Sequence, residues 1–174
     1  MQKRIVLFTL VTLMAAFVET GAAQKASPAA TATCDLGGGK TITTAYSSPR
    51  MKGRKIYGGL VPFGEVWRTG ANEATTFVTT SDVVVGGKAV PAGKYTIFTV
   101  PNSGKWTLII NKKTGEWGIP YKYESDELAR VDMKVSTLPS PVENFTIAYE
   151  KGANGCTMHI DWETTRASVD ISAK

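Results

Sequence analysis

In Leu128-Ala-Arg-Val-Asp-Met-Lys-Val135, apolar and polar residues alternate from Ala129 onward, and this alternation decides the fold class. Successive side chains of a β-strand point to opposite faces, so a period of two predicts a strand with one buried face. The same alternation returns in Phe145–Tyr149 and, beyond the turn residues Gly152–Gly155, in Cys156–Trp162. The second half of the chain is therefore predicted to consist of antiparallel strands.

Shorter apolar runs upstream are separated by turn residues. Gly86 and Gly87 can adopt the positive φ angles of a two-residue hairpin turn. Pro101–Gly104 separates Lys94–Val100 from Lys105–Asn111, which predicts a second hairpin. Short strands that do not alternate with helices predict an all-β fold, an antiparallel β-sandwich, with a jelly-roll arrangement as one form of it. Helical structure is expected only as a turn or two near residues 61–66 and 125–129.

The N-terminus has the features of a secretory signal peptide. Lys3 and Arg4 precede the apolar run Ile5–Phe17, and the small residues Gly21 and Ala23 follow. The run is shorter than the roughly 20 residues that a membrane-spanning helix needs, although a retained anchor or a buried helix stays an alternative. We predict a signal peptide over 1–23, no transmembrane segment after cleavage, and a mature protein in the periplasm or secreted.

The next residues lack the apolar groups that a fold requires. Residues 24–40 are mostly Ala, Thr, Ser, Pro and Gly, a composition typical of a flexible segment. Beyond them the chain is long enough for one domain with a real core. The predicted organisation is a signal peptide over 1–23, a flexible leader over 24–40 and a single β-sandwich domain over 41–174.

The charge balance is mildly basic. The chain has 20 Lys and Arg against 15 Asp and Glu. Without Lys3, Arg4 and Glu19 of the predicted signal peptide, 18 basic residues remain against 14 acidic ones, a net charge of +4. This balance lacks the concentrated basic surface of a nucleic-acid binder, so no nucleic-acid partner is expected.

The two cysteines are far apart in the sequence. Cys34 lies in the predicted leader and Cys156 on the apolar face of a predicted strand. An oxidising compartment allows a disulfide between them, but Cys156 can equally be a small buried residue, so the pairing stays open. Their spacing gives no metal-site motif, and neither a metal site nor a cofactor is predicted.

One long segment breaks the alternation and holds the candidate ligand-binding residues. Residues 50–73 combine basic, aromatic and amide side chains with five glycines, the mixture found where loops carry binding groups. A guanidinium group offers a planar fork for carboxylate or phosphate, and a tryptophan offers an apolar plate for a sugar. In the alternative interpretation, Arg68 pairs with Glu65 or Glu73 and Trp67 belongs to the core. The predicted ligand-binding residues are Arg50, Arg54, Trp67, Arg68, Asn72 and Glu73, for a small anionic or carbohydrate ligand.

A weaker catalytic candidate lies on a strand near the C-terminus. His159, the single histidine of the chain, shares one face of the predicted strand with Asp161 and Glu163. These three residues could provide a general base held by a carboxylate, which suggests a hydrolase or a lyase. The alternative is that they form the solvated side of an antiparallel sheet.

The irregular segment also carries a resemblance to a known family. The block Lys52-Gly-Arg-Lys-Ile-Tyr-Gly-Gly-Leu-Val-Pro-Phe-Gly-Glu-Val-Trp-Arg-Thr-Gly-Ala-Asn-Glu-Ala-Thr75, followed by Val90–Tyr95 and Trp106–Asn111, resembles the bacterial domain-of-unknown-function 2911 family. The resemblance runs from about residue 46 to residue 171. It implies an exported, β-rich domain, and it assigns no catalytic residue.

Three functions therefore stay open from the sequence. The first is a binding module that uses segment 50–73. The second is a hydrolase or lyase that uses His159 with Asp161 or Glu163. The third is a structural or assembly protein of the envelope that pairs with a partner through an exposed sheet edge. Fold class alone does not choose among them.

Overall fold

The structure is a computed structural model that describes residues 26–174; the predicted signal peptide at 1–23 lies outside the described residues. Nine strands and one short 3-10 turn form this part of the chain. The elements are β1 (Ala29–Gly37), β2 (Lys40–Ser47), β3 (Thr76–Thr79), β4 (Val83–Val85), β5 (Lys88–Val90), β6 (Gly93–Val100), β7 (Lys105–Asn111), the 3-10 turn (Glu124–Asp126), β8 (Glu127–Gly152) and β9 (Gly155–Ala173).

All neighbouring strands are antiparallel, in the order β1-β2-β3-β6-β7-β8-β9-β4-β5. The predicted all-β antiparallel fold is confirmed. The alternating stretch Ala129–Val135 lies in β8 and places Val131 and Met133 opposite Leu108 and Trp106 of β7. All four side chains are buried, because they share the inward face of the sheet.

One sheet forms the sandwich by bending over itself. Its first strand, β1, contacts β8 and β9. Tyr149 and Thr44 share a hydrogen bond of 2.6 Å between their hydroxyls, and the Tyr46 hydroxyl donates to the Ile147 carbonyl at 3.3 Å. The apolar core lies between these two faces.

The prediction of a flexible leader over 24–40 was wrong for Ala29–Gly37. This stretch is β1, and it pairs in register with β2, for example through Thr33 opposite Thr43. Composition misled the prediction because small Ala and Thr side chains bury little area. A strand whose backbone pairs along its length and whose inner face is covered by the rest of the sheet can nevertheless be ordered.

The disulfide that the sequence left open is present. Cys34 of β1 and Cys156 of β9 are bonded, with a Cα–Cα distance of 6.4 Å. Both residues are buried. The bond closes a separation of 122 residues and joins the two faces of the bent sheet.

Of the two expected helical turns, one has a counterpart. The 3-10 turn Glu124–Asp126 overlaps the expected turn near residues 125–129, while residues 61–66 form turns without a helix. Beside this 3-10 turn, the Glu127 carboxylate accepts two hydrogen bonds from Arg130 and one from the Tyr121 hydroxyl, each 2.7 Å long. These contacts fix the end of the connection between β7 and β8, in which Tyr121 and Tyr123 pack against Phe98 of β6 and Ile109 of β7.

This carboxylate should contribute to stability in a pH-dependent way. Hydrogen bonding from Arg130, aided by Tyr121, lowers the pKa of Glu127 below its usual range. A carboxyl with a lowered pKa in the folded state stabilises the protein above its unfolded pKa, and the contribution disappears as pH falls through the folded pKa. Because Arg130 is half exposed, we expect Glu127→Gln to cost about 1 kcal/mol or less at neutral pH.

Urea unfolding at several pH values checks this expectation. The stability difference between the wild type and Glu127→Gln should shrink as the pH falls below about 4. The exposed Glu124 provides the matched control, since Glu124→Gln should change stability little at any of these pH values. A difference for Glu127→Gln that is constant with pH would contradict the assignment.

Candidate functional site

The irregular segment 50–73 and its flanking residues, 48–75 in all, form backbone hydrogen bonds with the sheet near both ends. Near its start, the Met51 amide donates to the Glu143 carbonyl at 2.8 Å, and the Phe145 amide donates to the Pro49 carbonyl at 2.9 Å. Near its end, Trp67 and Thr99 exchange two backbone hydrogen bonds of 2.8 and 2.9 Å. The segment is therefore a fixed part of the fold and can hold side chains in place.

The backbone turns sharply after Trp67. Thr69 is fully buried and has φ 56°, a conformation that β-branched residues rarely adopt. Its carbonyl accepts a hydrogen bond from the Thr75 hydroxyl at 2.6 Å, and its own hydroxyl shares one with Thr99 at 3.1 Å. At Gly70, φ is 151° and a Cβ would lie 3.0 Å from the Ser47 carbonyl oxygen, so a larger residue would strain the turn. Strain held in this way is common at functional sites.

A cluster of aromatic rings lies beneath this turn. Trp67 stacks on Trp162 of β9 with ring centroids 6.0 Å apart and an interplanar angle of 17°. Phe145 meets both tryptophans edge-on, at 5.1 and 5.7 Å. Each indole N–H is satisfied, since Trp67 donates to the Gly70 carbonyl and Trp162 to the Glu143 carbonyl, both at 3.1 Å. These aromatic contacts stabilise the segment against the sheet.

A cavity of about 510 Å³ opens above these rings, and we call it the basic cavity. Apolar side chains from segment 48–75, from β9 and from the β7–β8 connection supply most of its wall. The larger apolar lining residues are Pro49, Leu60, Val61, Pro62, Val66, Trp67, Ile119 and Trp162. Its volume falls in the range of cavities that bind small molecules.

Three cations and one carboxylate line the basic cavity: Arg50, Lys52, Arg54 and Glu65. Arg50 donates from Nη1 to the carbonyl and hydroxyl of Ser48, at 2.9 and 3.0 Å. Arg54 donates from Nε and Nη2 to the carbonyls of Met51 and Arg50. Since a guanidinium group has five N–H donors, both arginines keep donors for a ligand. The field in the cavity favours an anion.

A buried phenol lies behind the tryptophans. Tyr57 packs edge-on against Trp106, with centroids 4.8 Å apart, and against Trp67. Burial raises the pKa of Tyr57 far above its usual range, and the charges of Glu163 and Asp161 add to the effect. The group stays neutral, and its ring belongs to the buried aromatic cluster behind the cavity.

The structure divides five of the six predicted ligand-binding residues between two cavities. Arg50, Arg54 and Trp67 line the basic cavity, whereas Asn72 and Glu73 lie beyond the turn, on a second cavity of about 410 Å³. Sequence reasoning did not assign Trp162 and Ile119 to the site. Both are distant in sequence, and the alternation around Trp162 indicated only a core position.

Arg68 contacts neither of the carboxylates proposed in the alternative interpretation. Among the described ion pairs, none joins Arg68 to Glu65 or Glu73. Its Nη1 donates to the carbonyls of Asn72 and Trp117, and its guanidinium lies 5.2 Å from the centroid of the Trp117 ring. Desolvation by burial lowers the pKa of Arg68. Arg68 therefore fixes Trp117 and the loop after the turn.

The catalytic candidate does not assemble into one site. His159 Nε2 lies 3.1 Å from Glu150, whereas both carboxylate oxygens of Asp161 accept hydrogen bonds from Arg166, at 2.8 and 2.6 Å. Glu163 has φ 55° at an irregularity in the β8–β9 pairing, so the alternation that placed it beside Asp161 is interrupted. No hydrogen bond joins any two members of this trio in the described part of the chain.

Two further features concern the described residues only. Within 26–174, no group of three or more His, Cys, Asp or Glu residues could hold a metal ion. No helix in this range is long and apolar enough to cross a membrane.

Comparisons with known proteins identify the family. Neither a curated protein nor a solved structure matches the chain. A family model described as "Protein of unknown function (DUF2911)" matches residues 27–171, which include β1, the irregular segment and nearly all of β9. The predicted resemblance is confirmed, although it starts at residue 27 and not near residue 46, and the chain belongs to the family described as protein of unknown function DUF2911.

Proposed function

We propose that this protein is an exported binding module that takes up a small anionic ligand with an apolar part in the basic cavity. The observation that carries the proposal is the placement of Arg50, Lys52 and Arg54, against the single carboxylate of Glu65, at a cavity of about 510 Å³ whose wall is mostly apolar. The arginines would bind the anionic group through charge-assisted hydrogen bonds. The apolar wall would bury the rest of the ligand.

An anion with an apolar part fits the cavity better than a carbohydrate does. A sugar needs an open aromatic face, but Trp162 is only 1% exposed. Trp67 is stacked on Trp162 and touched at its edges by Phe145 and Tyr57. The two tryptophans therefore form an apolar floor without an open ring face, which suits an alkyl chain.

The disulfide supports the extracytoplasmic part of the proposal. A bond between Cys34 and Cys156 persists in the periplasm or outside the cell, whereas cytosolic thiols are kept reduced. The sequence features of residues 1–23 agree with export. N-terminal sequencing of the protein recovered from the periplasm or the culture medium tests both points, and the expected N-terminus is Gln24.

Decanoate is a suitable probe, because it combines a carboxylate with an apolar chain. We expect it to raise the melting temperature of the wild-type protein in a saturable way. Arg50→Ala/Arg54→Ala should weaken decanoate binding about tenfold or more, since a hydrogen bond to a charged group contributes about 1.5–3 kcal/mol. High salt should weaken binding as well.

The controls separate charge from shape. Lys88→Ala/Lys134→Ala removes the same charge from exposed positions that do not line the basic cavity, and it should leave binding unchanged. Decanol tests the apolar contribution, inorganic phosphate the charge contribution and glucose the carbohydrate alternative. Equal binding of decanoate and decanol, or equal loss in both double variants, would show that the arginines do not recognise the ligand.

A further inference from the structure

The second cavity, of about 410 Å³, lies across the turn from the basic cavity. The two share the rim residues Ala26 and Ser27 and are separated by the chain at residues 70–73. The second cavity is lined by one exposed aromatic ring and several polar groups, namely Trp117, Asn72, Glu73 and Ser47. It contains neither the cations nor the apolar floor of the first.

Trp117 is exposed yet rigidly held. Its side chain is 57% exposed, the highest value among the exposed large apolar residues of the described chain. Arg68 lies over one face of the ring, at 5.2 Å from its centroid, and donates to the Trp117 carbonyl at 3.3 Å. On one side of Trp117 the Glu116 carbonyl accepts from the Ala74 amide at 3.1 Å, and on the other side Gly118 packs against Ala74. A ring held in this way can contact a ligand with little loss of side-chain entropy.

Gly118 allows the backbone next to Trp117 to approach Ala74 closely. Its φ is 95°, and a Cβ there would lie 2.9 Å from the Ala74 Cβ. Glycine is required for both reasons. The loop that presents Trp117 is therefore fixed by backbone contacts and not by burial of the ring.

The polar groups beside the ring offer both acceptors and a donor. Asn72 Nδ2 donates to the Ser27 carbonyl at 3.3 Å and to the Ser47 hydroxyl at 3.1 Å, which leaves Asn72 Oδ1 as an acceptor. The Ser47 hydroxyl keeps its own hydrogen to donate. The Glu73 carboxylate is exposed and forms no ion pair within residues 26–174.

From this arrangement we infer that the second cavity binds one residue of a neutral oligosaccharide. The C–H face of a pyranose would lie on the face of the Trp117 ring opposite Arg68, because the electron-rich ring attracts polarised C–H groups. Its hydroxyls would donate to Glu73 and Asn72 and accept from Ser47. The carboxylate of Glu73 disfavours sugars that carry a negative charge. This inference does not depend on ligand binding in the basic cavity.

Fluorescence titration tests the inference, because Trp117 is the most exposed of the four tryptophans. The probes are cellotetraose, maltotetraose and chitotetraose at millimolar concentrations. We expect at least one to shift the emission to shorter wavelength and to protect it from acrylamide quenching in a saturable way. Trp117→Ala should abolish the response, Trp117→Phe should retain part of it, and Glu73→Gln should weaken binding about tenfold.

Arg50→Ala/Arg54→Ala is the control and should leave sugar binding unchanged, so a failure of the basic cavity and a failure of this site can be told apart. No saturable response to any of the three probes overturns the inference, as does a response that survives in Trp117→Ala. Self-association of the wild type that Trp117→Ala abolishes also overturns it, since the ring would then be a contact between copies of the chain.

Discussion

Removal of the disulfide by Cys34→Ala/Cys156→Ala is expected to lower the free energy of unfolding by about 3–5 kcal/mol. The bond closes a separation of 122 residues, so it restricts the unfolded chain strongly. Domains of this size are stable by about 5–15 kcal/mol, so the loss is a large fraction of the total. Urea unfolding of the variant and of the wild type measures the difference.

Reduction provides the matched control for this prediction. Dithiothreitol should destabilise the wild type by a similar amount and should not affect the double alanine variant. The loss of stability should be largest in β1. Without the disulfide, β1 is held by its pairing with β2 and its contacts with β8 and β9. A variant within about 1 kcal/mol of the wild type would mean that the bond contributes little.

Trp162→Ala is expected to destabilise the protein by about 3–5 kcal/mol and to abolish decanoate binding. Trp162 is 1% exposed and contacts Trp67, Phe145 and Tyr57. Truncation would leave a void beneath the basic cavity, and the irregular segment would lose the surface on which it packs. Urea unfolding and the decanoate titration measure the two effects separately.

Two variants sharpen this prediction. Trp162→Phe should cost less, because it keeps most of the apolar volume and because the Glu143 carbonyl still accepts from the Met51 amide. Trp117→Ala removes an equally large but exposed ring, so its effect on stability should stay within about 0.5 kcal/mol. If Trp162→Ala cost no more than Trp117→Ala, the aromatic cluster would not be the support of the site.

The strands could be predicted wherever side-chain parity separates apolar from polar residues. The first part of β8 and most of β9 satisfy this condition, and their inward residues belong to the core. In β7 the condition holds only in part, because Ile109 is buried on the opposite face from Trp106, Leu108 and Ile110. β1 does not satisfy it, because Ala29–Gly37 consists mainly of small residues whose burial depends on the strands that cover them. Cys34 was the one signal in that stretch, and a disulfide could be suggested but not decided from sequence.

The candidate site could be predicted only in part, because distant strands complete it. The mixture of residues in 50–73 indicated the correct segment, and Arg50, Arg54 and Trp67 do meet at one cavity. Thr69, Gly70 and Asn72 all have positive φ angles, and beyond this turn Asn72 and Glu73 line the second cavity. Neither this turn nor the contribution of Trp162 follows from local sequence pattern.

The His159 hypothesis illustrates a different limit of sequence pattern. A period of two places residues on one face only while the pairing stays regular. The register of β8 and β9 shifts near Glu163, and the Asp161 carboxylate forms an ion pair with Arg166. Such a register shift depends on how β8 and β9 pair, so the sequence of one strand alone does not predict it.

The most direct test of the account is an NMR titration of the isotopically labelled mature protein with decanoate, observing the side-chain N–H signals of arginine and tryptophan. We predict saturable shifts of the Arg50, Arg54, Trp67 and Trp162 signals, with the Trp117 signal unchanged. An absence of shifts at saturating decanoate, or shifts confined to residues outside the basic cavity, would contradict the claim that this cavity binds an anion.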